Sequence, residues 1–249
     1  MYYNSDNQTI SITKSDYSKL SKIVEHLIHE AEMPELGLYS VMSQDVLWMN
    51  LIFQFCAISG RRMTDALRND KKQLYDFSEK LNFKYLASIK NNRKEYIAKV
   101  LKDYKATSFY NKQAERIDDI LKSPNVVDKN KFVLLNGIDH NKQSYNEIRD
   151  ILIRRVPHLK MKSASGFMIE NGLAIDVIAI STRIWEVLNK HFDLRLDNRK
   201  IQSSRKTYLA IEDALRKACG HIGIPLAYLS RMLFQYSEKD TVSFILEDL

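Results

Sequence analysis

The chain has 249 residues, with 38 Lys and Arg against 31 Asp and Glu, for a formal net charge of +7. Its 45% hydrophobic and 28% charged content is ordinary globular usage and excludes disorder along the whole length. No apolar run approaches the roughly 20 residues of a membrane span, the polar start Met1-Tyr2-Tyr3-Asn4-Ser5-Asp6 carries no secretory signal, and the two cysteines, Cys56 and Cys219, cannot supply a four-thiolate cluster or a disulfide framework.

The first dozen residues are expected to be loose. Residues 15–32 carry Tyr17, Leu20, Ile23, Val24, Leu27 and Ile28 at helical spacing, with Pro34 and Gly37 as the stop. Ser43 is an N-cap for an apolar segment at 46–58, hydrophobic nearly all round and therefore read as a buried central helix. Shorter helical patterns follow at 63–68, 71–81, 94–104 and 110–121, the last stopped by Ser123-Pro124. Residues 125–141 are irregular. Ser144-Tyr145-Asn146-Glu147 forms a capping box for a helix that ends at Val156-Pro157. The next helix covers 161–170 and closes at Asn171-Gly172. A lone short strand is expected at 177–180, then helices at 182–191, at 204–219 with Gly220 beyond its end, and at 226–236. Seven glycines and four prolines are few for a β protein of this length. The fold class is therefore all-α, with about ten helices. A pI near 9.2 favours a polyanionic partner, either nucleic acid or anionic lipid.

Residues 149–172 read as two helices joined by a very short turn, Val156-Pro157-His158-Leu159-Lys160-Met161. Such a turn presents the first amides of its second helix, and the positive end of the helix dipole, to an anion such as phosphate. Arg149, Arg154, Arg155, Lys160 and Lys162 crowd the spot. Spacing and charge alone leave an ordinary helix connection with solvated lysines equally open.

The run Val156-Pro157-His158-Leu159-Lys160-Met161-Lys162-Ser163-Ala164 resembles the hairpin of the helix-hairpin-helix DNA glycosylase superfamily, which contains endonuclease III and the archaeal 8-oxoguanine glycosylases. The superfamily pattern is apolar-Pro-Gly-apolar-Gly-x-Lys-x-Ala. Tyr110-Asn111-Lys112-Gln113-Ala114-Glu115-Arg116-Ile117 looks like the helix start that precedes the hairpin, and Ile178-Ala179-Ile180-Ser181-Thr182-Arg183-Ile184-Trp185 looks like the segment that follows it. Residues 210–234, with Gly223-Ile224-Pro225 between two helices, are similar to the end of archaeal 8-oxoguanine glycosylases.

The resemblance implies two helical lobes, 37–173 and 1–36 with 174–249, around a cleft where Lys162 faces the Ser181 region. It implies base excision by a lysine at position 162, which attacks the sugar C1′ and forms a Schiff base. The attacking amine must be neutral, so its pKa has to fall from the ordinary value of about 10.4. Burial and the neighbouring Lys160, Arg154 and Arg155 push it that way. Three departures stand out. Ser181 occupies the place of the family's catalytic aspartate, leaving Asp176 as the nearest alternative carboxylate and N-capping as the other use of Ser181. His158 and Lys160 replace the hairpin glycines, and the iron–sulfur cysteines of endonuclease III relatives are missing.

Arg154, Arg155, Pro157, His158, Leu159, Lys160 and Ser163 are the expected DNA contacts, with Arg61 and Arg62 of the loop at 58–62 near the duplex backbone. Phe167, Met168, Trp185 and Phe234 are candidates to line a base pocket, though large apolar residues on helices are usually core. The histidines have no metal-ligand spacing, so neither metal nor cofactor is expected. Double-stranded DNA carrying a damaged base or an abasic site is the expected partner of a monomeric protein with no membrane partner. Its expected location is cytoplasmic, at the nucleoid if the source is bacterial or archaeal. Two other readings stay open: a relative that binds abasic DNA without excising a base, and a helical module whose basic face meets an acidic protein.

Overall fold

Helix starts in this chain are written by side chains that accept amides the helix itself cannot satisfy. The structure, a computed structural model, describes residues 10, 12–31, 33–57, 66–192, 194 and 197–236. The chain forms two compact units, Gly37–Asn171 and Met1–Leu36 with Gly172–Leu249.

In the Gly37–Asn171 unit, a 3-10 turn at Leu38–Ser40 leads to Ser43, whose hydroxyl caps α1, Gln44–Cys56. Asp70 caps α2, Lys71–Lys80, and Asn82 caps the short α3, Phe83–Ser88. Helices α4, Arg93–Asp103, and α5, Tyr110–Lys122, form an extensively packed pair. A two-residue hairpin follows in the irregular stretch, with β1 (Val127–Asp128) antiparallel to β2 (Lys131–Phe132) and Val127 opposite Phe132. Lys129 and Asn130 both have positive φ, 45° and 61°, which is the backbone a two-residue hairpin turn requires. The Ser144–Glu147 capping box then starts α6, Tyr145–Arg155, and α7 covers Met161–Glu170.

The nearly all-round apolar α1 is the buried helix its composition demands. Trp48, Leu51, Ile52, Phe55 and Cys56 are buried along it, and the Trp48 indole donates to the Leu81 carbonyl at 2.7 Å. It packs on α5, on β2 and on α7. The approach to α7 is close because Gly166 lacks a side chain: a Cβ there would lie 2.5 Å from Gln54 Oε1. The α7 end is tied to α1 as well, since Asn50 Nδ2 donates to Asn171 Oδ1 at 2.8 Å while Asn171 Nδ2 donates to Phe167 O at 2.7 Å.

The second unit holds α8, Lys14–Leu27, started by a Thr13–Asp16 capping box. It also holds α9 (Thr182–His191), α10 (Asn198–Ser203), α11 (Arg205–Ile222) and α12 (Leu226–Tyr236). Helix α12 packs on α8, α9 and α11, and α11 also meets α8 and α10.

The all-α reading holds, with twelve helices among the described residues and one minimal sheet. None of those helices is long and apolar enough to cross a membrane. Several boundaries need correction. The N-terminal helix stops at Leu27, before Pro34 and Gly37 are reached. Residues 177–180 are not a strand, because no strand among the described residues pairs with them. Gly220 lies inside α11, and the left-handed cap is Gly223 at φ 86°. Helices α3 and α10 are additions; each has six residues, too few to show a periodicity. Of the pattern expected at 63–68, residues 66–68 are helical and the rest lie outside the described residues.

Candidate active site and nucleic-acid interface

The hairpin is built by sinking two apolar side chains and turning the chain between them. Val156 and Leu159 are both buried, and the Leu159 amide donates to Val156 O at 3.3 Å. Between them the chain turns through Pro157 and His158, and His158 takes φ 64°. That is the left-handed region glycine occupies freely and a β-carbon disfavours. Here His158 stands in it while its Nε2 lies 2.8 Å from Asp119 Oδ2 on α5. Lys160, at the second family glycine, has φ −122° and ψ 172°, an ordinary extended conformation in which a side chain costs nothing.

Lys160 is the N-cap residue of α7, and the helix begins without a side-chain cap. Lys160 itself thus brings no capping oxygen to the positive dipole end. Lys162 is the second residue of that turn and is half-buried, Lys160 and His158 are exposed, Pro157 is half-buried and Ser163 is buried.

The cations around the hairpin divide by job. Arg154 is exposed. Arg155 is half-buried, and its Nη1 donates to Leu134 O at 2.6 Å and Asn136 O at 2.8 Å, so one arm of the guanidinium anchors the preceding loop. Ser123 Oγ donates to the Arg155 carbonyl at 3.1 Å and closes the end of α6. Arg149 is a correction: it shares the inward face of α6 with Ile148 and Leu152 and is wholly buried, so it offers nothing to a phosphate. Arg61 and Arg62, with the rest of the loop at 58–62, lie outside the described residues.

Phe167 and Met168 are wholly buried on α7, the position of packing residues; a pocket wall keeps one edge open. Burial pushes the thiols of Cys56 and Cys219 up to about 12, so neither is an ionised nucleophile near neutrality.

In the other unit, Ser181 is the N-cap of α9. It is buried, and its Oγ accepts from the Ile184 amide at 3.3 Å. The hydroxyl thus does the capping work an aspartate would share. Asp176 is exposed, and its carbonyl accepts two hydrogen bonds from Arg216, through Nε and Nη2, both at 3.0 Å. A bend carrying its carboxylate toward position 181 would break both. Trp185 and Phe234 are half-exposed, and the Arg183 guanidinium sits 5.8 Å from the Phe234 ring centroid. Among the described residues no group of three or more His, Cys, Asp or Glu could hold a metal ion.

Asp119, Arg183 and the Tyr208–Glu212–Arg216 face of α11 were missed in the sequence reading. Only the last left a signal, three polar residues at four-residue spacing along one helix.

No curated protein matches the sequence. Solved structures that share the fold include two from one archaeon. A structure of Methanocaldococcus jannaschii 8-oxoguanine glycosylase/lyase in complex with 15mer DNA containing 8-oxoguanine is 17% identical with a TM-score of 0.60, covering 89% of this chain and 97% of that one. A structure of Methanocaldococcus jannaschii 8-oxoguanine DNA glycosylase is 18% identical, also at 0.60, covering 88% and 91%. Residues 72–224 match the Ogg-HhH family, described as 8-oxoguanine DNA glycosylase. That stretch is more than half of the sequence and contains the hairpin, Lys162 and Ser181, and the chain belongs to this family.

Proposed function

We propose that this protein is a DNA base-excision repair glycosylase and AP lyase that acts on a damaged base such as an oxidised purine, with Lys162 as nucleophile. One observation carries the reading: within a match to 8-oxoguanine glycosylases, Lys162 stands in the first turn of the helix that follows the hairpin, after the exposed Lys160 and with exposed Arg154 in the last turn of the helix before it. The archaeal glycosylase/lyase in complex with 15mer DNA containing 8-oxoguanine supports DNA as the partner.

In the proposed step, Nζ forms a bond to C1′ as the glycosidic bond breaks and its electron pair leaves with the base, which takes up a proton. The C1′ amine so formed loses a proton, and its nitrogen lone pair then opens the sugar by breaking the C1′–O4′ bond, with O4′ taking up a proton. The resulting iminium loses a C2′ proton as the C3′–O bond breaks and the 3′ phosphate leaves. The N-terminus of α7 and the exposed cations of the turn hold the backbone. Half-exposed Trp185 and Phe234, with Arg183 by the Phe234 ring, are surfaces on which an extruded base stacks.

Ser181 divides the two halves of this chemistry. A neutral hydroxyl that is capping α9 does not stabilise the charge that develops as a base departs. An already open abasic sugar needs only the amine. Strand cleavage at abasic sites is therefore the stronger activity and base release the weaker. The same observation favours a second reading, a relative that holds abasic DNA without excising the base.

Borohydride trapping separates the two. Incubation with abasic duplex DNA and reductant gives a covalent adduct that disappears in Lys162→Ala. Binding that weakens with salt, without any adduct, leaves the second reading standing. Binding that is absent or insensitive to salt removes both.

A further inference from the structure

Residues 177–180 run into Ser181 without a strand on either side, and Val177, Ile178 and Ile180 are buried. Their peptide groups nonetheless need partners, because a buried unpaired N–H or C=O is costly. Side chains from three helices provide them. The Tyr208 hydroxyl donates to Ile178 O at 2.5 Å and accepts from the Ile180 amide at 3.2 Å. Glu212 Oε2 accepts from the Ile178 amide at 3.2 Å, while its Oε1 pairs with Arg216 Nη2 at 2.9 Å. Ser230 Oγ accepts from the Ala179 amide at 3.4 Å, and Gln202 Nε2 donates to Ile180 O at 3.1 Å. Arg216 holds the carbonyl of Asp176 just upstream.

Tyr208, Glu212 and Arg216 sit one turn apart on a single face of α11, and Tyr208 and Glu212 are wholly buried. An apolar face would leave these peptide groups unpaired, and the face that pairs them carries a buried carboxylate that is tolerated only with its own bonds made. A ladder of directional bonds does something an apolar face cannot. It fixes the register and height of the segment, so that a one-residue slip would unmake every bond. The residue that this register delivers is Ser181, together with the first turn of α9.

We propose that Tyr208 and Glu212 are positioning residues, which set the location of residue 181 by gripping the peptide groups of residues 177–180. The proposal rests on the reading above in assigning position 181 a part in base release. Its own content is mechanical, and it is tested with and without DNA.

The kinetic arm compares Ser181→Asp with Ser181→Asp carrying Tyr208→Phe, in single-turnover release of 8-oxoguanine from duplex DNA. The added Tyr208→Phe slows release by about tenfold or more, as displacement of a reacting group does, while Kd for the DNA stays within about twofold. Equal rates overturn the proposal. The second arm needs no DNA. In Ser181→Cys, alkylation rate against pH gives the pKa of the introduced thiol, which the α9 N-terminus lowers and burial raises. Adding Tyr208→Phe moves that pKa by about half a unit or more, up or down, as the thiol changes both its distance from the helix N-terminus and its burial. An unmoved pKa overturns the proposal even when no base is released, a result that by itself counts only against the glycosylase reading. Gln202→Ala, at an exposed side chain of α10 that folding tolerates, is expected to shift the same pKa in the same direction.

Discussion

At the scale of single residues, the hairpin shows why a motif position and a backbone requirement are different things. The family resemblance marks positions 158 and 160 alike as places for glycine. Only His158 has a left-handed backbone; Lys160 is extended and needs no special residue. A β-carbon in the left-handed region costs about 1–2 kcal/mol. The exposed pair with Asp119 returns at most about 1 kcal/mol. Replacing His158 by glycine relieves the strain, loses the pair and adds unfolded-state freedom worth roughly 0.5–1 kcal/mol. These terms nearly cancel, so His158→Gly is expected to leave the urea midpoint almost unchanged. Its effect belongs to DNA instead. With the side chain gone the turn approaches a phosphate more closely, and affinity for abasic duplex rises about threefold or more by fluorescence anisotropy. A weaker complex would mean that His158 itself makes the contact.

At the scale of elements, local rules were legible and non-local ones were not. The Ser144 box is complete within four residues, and the structure reproduces it: Glu147 Oε2 accepts from the Ser144 amide at 2.7 Å and from its hydroxyl at 2.8 Å. These bonds hold the Glu147 carboxyl below the usual carboxylate range. The folded state thus prefers the ionised form. The contribution is whole above the unfolded value of about 4.3 and is lost as pH falls through the lower folded value. Ser144→Ala is expected to cost about 1 kcal/mol near neutrality, and less at pH values low enough to protonate Glu147 in the parent too. Urea midpoints of both proteins at neutral and strongly acid pH check this, and an equal cost at both would contradict it. By contrast, the run Val177-Ile178-Ala179-Ile180 reads as a strand because apolar and β-branched residues suit one. Its real partners are side chains on α10, α11 and α12, more than twenty residues downstream, and no local pattern announces them. Gly220 and Gly223 look equivalent as helix stops, and only the backbone tells them apart. Position 181 was legible in the same limited way: the sequence marks it as a departure from the family and as a possible cap, and the Ile184 bond assigns the cap.

At the scale of the whole molecule, one unit is continuous in sequence and the other is assembled from both ends of the chain. The continuous unit, Gly37–Asn171, carries its own buried aromatics in Trp48, Phe55, Phe77, Phe83 and Phe167. Each of its ends is fastened from within. Near the first, the Tyr39 hydroxyl lies 3.1 Å from His140 Nδ1, and the His140 ring packs beneath Gly37. At the last, Asn171 is bonded to Asn50 and to the Phe167 carbonyl. A stretch of this length buries enough surface to be stable alone, and cutting it out severs none of those bonds. Expressed alone, residues 37–171 are therefore expected to unfold cooperatively. Trp48 is the only tryptophan in the fragment, and it is wholly buried with its indole N–H bonded to Leu81. Its emission should be that of a shielded indole in buffer and shift to the red in one step, at the urea concentration where helical ellipticity is lost. A red-shifted emission before denaturant is added, or two separated transitions, would show that the unit needs the rest of the chain to form its core.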